Sequence, residues 1–180
     1  MAPSKVMIIR HAEKQPDDPP PYGIDENGIQ NKHSLIVRGW LRAGALIEFF
    51  ASPRGALVRP NALYAAAASA DPAADDEHKS LRPQQTIAPL ARKLGLTADT
   101  SYGIGREPEL AMAIIARSGA VLVAWEHTHI PLIAAALHAD APRMWPDERF
   151  DVVWLLRHRE GGYRFTQIDQ SLLSGDAPND

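Results

Sequence analysis

Four consecutive apolar residues, Val6-Met7-Ile8-Ile9, run directly into the charged cluster Arg10-His11-Ala12-Glu13-Lys14. A continuous apolar run rich in β-branched residues reads as a strand buried on both faces. Pro16, Asp17, Asp18 and the prolines at 19 to 21 prevent that strand from continuing. An Arg-His pair leaving the carboxyl end of a buried parallel strand stands where open α/β sheets place ligands.

The order of the remaining elements extends this reading. Residues 16 to 33 are polar and form a loop beside the presumptive site. Leu35 to Phe50 has helical apolar spacing, with Ser34 suited to the N-cap. Ala62 to Ala67 is a short buried strand, followed by a polar loop, 68 to 79, which is solvated or forms a lid over the site. Ser80-Leu81-Arg82-Pro83 starts a helix that Ser80 can cap and Gly95 ends. A weak strand is expected over 99 to 104, and a helix over Pro108 to Arg117. Ala120-Val121-Leu122-Val123-Ala124-Trp125 is the second strongly buried strand and also ends in a polar burst, Glu126-His127-Thr128-His129.

Ile130 to Leu137 is a short helix and 142 to 149 a turn-rich connection. Val152 to Leu156 and Tyr163 to Ile168 flank Gly161-Gly162 as a hairpin. Alternating strands and helices predict an α/β class, with a mostly parallel central sheet and an antiparallel C-terminal strand. Residues 1 to 173 are expected to form a single domain and 174 to 180 a flexible tail. Trp40, Trp125 and Trp154 are expected in the core, Trp145 as a loop anchor, and His33, His78, His138 and His158 at the surface.

Composition excludes several functions. The 180 residues are 45% apolar, with a formal net charge of -3, so no nucleic-acid partner is expected. The chain has no cysteine, which removes disulfides, thiolate catalysis and Cys-ligated zinc. No run approaches the ~18 apolar residues of a membrane span. The first strand begins within a few residues of Met1, so no signal peptide is expected, and the expected location is the cytoplasm.

If the strands are parallel, His11, His127 and Arg82 meet at one sheet edge. Paired guanidiniums grip phosphoryl oxygens, and a helix N-terminus favours the same charge. His11 between cations would be held neutral, leaving one ring nitrogen as nucleophile. His127 and His129 also have a spacing that metals accept. A His127/His129/His11 metallohydrolase is therefore an alternative.

These residues resemble the histidine phosphatase superfamily, also called phosphoglycerate mutase-like. Arg10-His11-Ala12-Glu13 is similar to its first motif. Ser80-Leu81-Arg82-Pro83-Gln84-Gln85-Thr86 resembles its Ser-x-x-Arg-x-x-x-Thr-like helix start, one residue tighter between Ser and Arg. His127 matches the histidine after its Val-rich strand, and Leu35 to Ala43 its Leu-Thr-x-x-Gly-x-x-Gln-Ala segment. The resemblance spans about residues 5 to 157.

It implies a three-layer α/β/α sandwich and a phosphatase that works without metal or other cofactor. His11 would attack phosphorus and become phosphohistidine, while Arg10, Arg82 and His127 would hold the phosphoryl group. The substrate would be a small phosphate ester or a phosphorylated protein. Glu107 is nearest in order to the family's general acid, with Glu13 a second candidate. Glu126 is expected to point away from His127 by strand alternation. Thr128 departs from the Asp of the acid-phosphatase branch. A member without a good acid would suit easy leaving groups such as phosphoramidates, and one that has lost turnover would be a phospho-ligand-binding module.

Overall fold

The computed structural model describes residues 2 to 177. Its single sheet has six strands in the order β3-β2-β4-β1-β5-β6. These are β1 (Lys5–Arg10), β2 (Ala62–Ala65), β3 (Ala98–Asp99), β4 (Ala120–Trp125), β5 (Val152–Arg159) and β6 (Gly162–Asp169). β1, β2, β3 and β4 run parallel, while β5 and β6 are antiparallel additions at one side. Four helices complete the fold: α1 (Val37–Ala51), α2 (Arg82–Leu94), α3 (Glu107–Ile115) and α4 (Ile130–Ala136).

The sheet is covered on both faces, as its uninterrupted apolar strands require. Val6 and Ile8 of β1 pack with Leu110, Ile114, Ile130 and Ile133 from α3 and α4. The alternate residues Met7 and Ile9 pack with Leu46, Phe50, Ile87 and Leu90 from α1 and α2. Each of these side chains is within 1% of full burial. At ~1.5–3 kcal/mol per buried aliphatic side chain, the two clusters supply the main favourable term of folding. This is a three-layer α/β/α sandwich. Among the described residues, no helix is long and apolar enough to cross a membrane.

Several local expectations need correction. α1 begins at Val37, with Ile36 at its N-cap and no side-chain cap. Ser34 instead accepts a hydrogen bond from Gln85 Nε2 at 2.9 Å. Ser80 does not cap α2, whose N-cap is Leu81. Gly95 does end α2, in the left-handed conformation at φ 67°. The strand expected at 99 to 104 shrinks to Ala98–Asp99. Trp40 is not a core residue: its indole N–H donates to Ile24 O at 2.8 Å and ties down the 16–33 loop. Trp145 does anchor its loop as expected: its indole N–H donates to Arg149 O at 2.8 Å and its buried ring packs against Trp154 at 5.1 Å.

The expected flexible tail is anchored through residue 177. Asp176 pairs with Arg42 at 2.7 Å and with Arg38 at 3.2 Å. Ala177 N–H donates to Asp151. Residues 178 to 180 lie outside the described residues.

Candidate active site

Topology brings the two histidine-bearing strand ends together. β4 lies between β1 and β2, so β1 and β4 are neighbours in parallel register, with Arg10 opposite Trp125. The pairing runs one residue further, His11 N–H donating to Trp125 O at 2.9 Å. His11 and the Glu126-His127 pair therefore leave the same sheet edge side by side. α2 approaches that edge with its first turn, bringing Arg82.

A cleft of about 360 Å³ opens there, with His11, Arg82, Glu126, His127 and Ser80 among its lining residues. Lys14 to Asp17 form one lip, and Lys32, Asp76 and Glu77 the other. Lys32 pairs with Asp76 at 2.8 Å, and Arg82 Nη2 donates to Lys32 O at 2.9 Å. Both flanking loops are thereby joined to α2.

His11 is buried, and its Nδ1 stands 2.8 Å from Ala12 O. A carbonyl oxygen only accepts, so Nδ1 carries the proton and Nε2 keeps its lone pair. Desolvation first, then the Arg82 guanidinium, lowers the His11 pKa to about 3. The ring is neutral at physiological pH, as a nitrogen nucleophile must be.

Thr86, fully buried, fixes the backbone next to this histidine. Its Oγ1 accepts from Ala12 N–H at 2.8 Å and donates to Arg82 O at 2.7 Å. One hydroxyl thus links the His11 strand end to the Arg82 turn. Thr86→Val keeps the shape but strands a buried N–H, a loss of ~1–3 kcal/mol. Urea unfolding of the variant is expected to show that loss with an unchanged m-value. A midpoint equal to that of wild type would show the link to be without energetic weight.

Arg10 stands behind the cleft and is not among its lining residues. It donates through Nη1 to Asp147 O, and its guanidinium lies 3.9 Å over the Phe150 ring. Phe150 also packs on His11, with centroids 6.1 Å apart. Burial lowers the Arg10 pKa to about 10, so the group remains cationic. Among the described residues, Arg10 Nε, Arg82 Nε and Ser80 Oγ are buried without a hydrogen-bond partner.

The carboxylates are arranged differently from expectation. Glu13 does not line the cleft; it pairs with Arg42 at 2.8 Å and Arg38 at 3.1 Å. Glu107 is buried away from the cleft, accepting from Trp125 Nε1 at 3.1 Å and standing 3.0 Å from His129 Nδ1. Glu126 does line the cleft and contacts His127 Nδ1, against the alternation argument. β4 ends at Trp125, so residue 126 no longer follows the strand's alternation. Burial opposes ionisation of Glu126, but hydrogen bonds from His127 and Thr128 outweigh it and hold the pKa at about 2. Glu126 is therefore an anion that orients His127 and the following turn.

His127 and His129 turn to different partners, Glu126 and Glu107. Among the described residues, no group of three or more His, Cys, Asp or Glu side chains is spaced to hold a metal ion.

Sequence reasoning missed Glu126 as a wall of the cleft, Phe150 as the aromatic support, and the tie made by Thr86. The end of the apolar run at Trp125 was the available signal for Glu126. Phe150 lies just beyond a stretch whose composition reads only as turn.

No family model matches the sequence, and no curated protein matches it. Solved structures similar in fold include the following two. "Mycobacterial hydrolase 2" is 11% identical, with 100% of this chain and 94% of that chain covered and a TM-score of 0.47. A protein assigned as the phosphohistidine phosphatase SixA from Agrobacterium tumefaciens is 17% identical, with 92% and 97% covered and a TM-score of 0.43.

Proposed function

We propose that the protein is a phosphatase of the histidine phosphatase type, hydrolysing a phosphomonoester or phosphoramidate through phosphohistidine on His11. One observation carries this reading. A neutral, tautomer-fixed histidine shares a cleft with Arg82 and Ser80, whose Nε and Oγ are buried and unpartnered. Buried donors without partners are costly, and an anion's oxygens would satisfy them.

His11 Nε2 attacks phosphorus and the bond to the leaving group breaks opposite it, with charge spread over the remaining phosphoryl oxygens. Arg82 and Ser80, with His127 across the cleft, stabilise those oxygens. Arg10, behind His11, adds its field to burial and Arg82, the larger causes of the ring's neutrality. Water then attacks the phosphoryl group in line with His11, releasing phosphate and returning the electron pair to Nε2.

Rapid acid quench of wild-type protein during turnover of p-nitrophenyl phosphate tests this. The expected result is a phosphoryl adduct stable in alkali, labile to prolonged acid, and mapped by peptide mass to the segment holding His11. Turnover without any adduct, abolished by chelator, would replace this mechanism with a metal-dependent one.

A further inference from the structure

Resting on that reading, we propose that Glu77, from the loop preceding α2, is the general acid for the leaving group. In-line displacement puts the leaving atom opposite His11. His11 is a buried lining residue of the cleft, so the leaving group faces the mouth, and the proton donor must belong to the lips. Glu13 and Glu107 do not line the cleft at all. Glu126 lines its wall but is committed to His127 and to Thr128 N–H.

Three carboxyls remain on the lips: Asp17, Asp76 and Glu77. Asp76 is bound to Lys32 at 2.8 Å, which favours its anion. Glu77 forms no ion pair or side-chain hydrogen bond among the described residues. The charges it faces include Glu126, His127 and His129 from the β4–α4 turn, with Asp75 on its own loop. Glu77 is solvent-exposed as a residue, yet the cleft withdraws enough water that desolvation, followed by the Glu126 carboxylate, raises its pKa. Glu77 lies on the segment that also carries the lining residues Ser80 and Arg82, and it faces Glu126 in the same cleft. A carboxyl there that retains its proton more readily than a solvated glutamate is suited to donate it.

The chemistry balances. As the P–O bond breaks, its electron pair moves to the leaving oxygen, which takes the Glu77 proton and departs as a neutral alcohol or phenol. The Glu77 carboxylate then takes a proton from the water that attacks phosphohistidine. The P–N bond breaks towards Nε2, and the acid form is restored. The substrate class widens accordingly, from phosphoramidates and activated esters to monoesters with poor leaving groups.

A leaving-group series of substituted phenyl phosphates, run under single turnover, tests the assignment. For wild type the rate of phosphoenzyme formation should depend weakly on leaving-group basicity. Glu77→Gln should lose about a hundredfold or more on phenyl phosphate, but only a few-fold on p-nitrophenyl phosphate, whose anion needs no proton. Glu77→Asp should recover part of that loss, and Asp17→Asn should behave as wild type. Equal losses across the series, no loss, or the same signature in Asp17→Asn would each overturn the assignment. A His11 adduct that still forms in those cases leaves the phosphatase reading standing; absence of the adduct in wild type removes both.

Discussion

Under the proposed mechanism, His11→Ala is expected to lower turnover of any phosphate ester by about a thousandfold or more, because the covalent route would disappear with the nucleophile. The cleft, Arg82 and His127 remain, so substrate should still bind, and KM should change far less than kcat. Stability gives a second readout that does not depend on activity. His11 titrates at about 3 in the fold, well below the value of a solvated histidine. Between those two values the unfolded chain binds a proton that the folded chain does not. Stability conferred by the neutral ring is therefore lost as pH falls from about 6.5 towards 3.

Removing His11 removes that slope. Unfolding free energy measured from pH 7 to pH 4 should fall more steeply for wild type than for His11→Ala. Retained turnover in His11→Ala would move the nucleophile elsewhere. A pH slope identical to that of wild type would show that the ring is not held neutral.

The layers of this fold were legible because hydrophobic runs report burial directly. Val6 to Ile9 and Ala120 to Trp125 could be placed in the middle of a covered sheet from composition alone. The hairpin at Gly161-Gly162 was equally plain, since positive φ at both positions requires glycine-like freedom. Of the candidate site, His11, Arg82 and His127 meet in one cleft because parallel strands release their ends on one edge. The carboxylates were not legible for a physical reason: a carboxylate takes whatever cation or N–H is nearest in space. Arg42 lies 29 residues from Glu13, and His129 lies 22 residues beyond Glu107. No local pattern announces such pairs. The same holds for Asp176, whose polar surroundings in sequence suggest solvent while Arg42 draws it into the fold.

That last pairing yields a large expected loss of stability. Arg42 is buried at 2% exposure and holds two carboxylates at once, Glu13 at 2.8 Å and Asp176 at 2.7 Å, with Gln170 Oε1 at 3.0 Å. Burial works against its charge, but these acceptors outweigh it and raise its pKa. Arg42→Met keeps the volume and removes the buried cation, leaving Glu13 and Asp176 to share only the exposed Arg38 guanidinium. Breaking a buried pair in this way destabilises by about 3–5 kcal/mol. Arg42→Met,Glu13→Gln,Asp176→Asn should recover much of that loss, because it removes the stranded charges as well; the difference measures the coupling.

The deficit should also shrink in acid. Asp176 is held at about pKa 2: burial raises it, but Arg42 and two backbone N–H groups prevail. Its contribution is present above the ordinary carboxylate pKa and is lost as pH falls through about 2. In Arg42→Met that carboxyl should protonate at a higher pH than in wild type and shed part of the penalty, since Arg38 and two backbone N–H groups still face it. Hydrogen exchange should report early opening of residues 172 to 177, where Leu172 and Leu173 N–H groups bind Asp176. Glu13 lies two residues from His11, and its carbonyl accepts from Ile36 N–H at 3.1 Å at the start of α1. A drop in kcat should therefore accompany the loosened tail. An unfolding free energy within about 1 kcal/mol of wild type, with the tail still protected, would show that the cluster is solvated and carries no such weight.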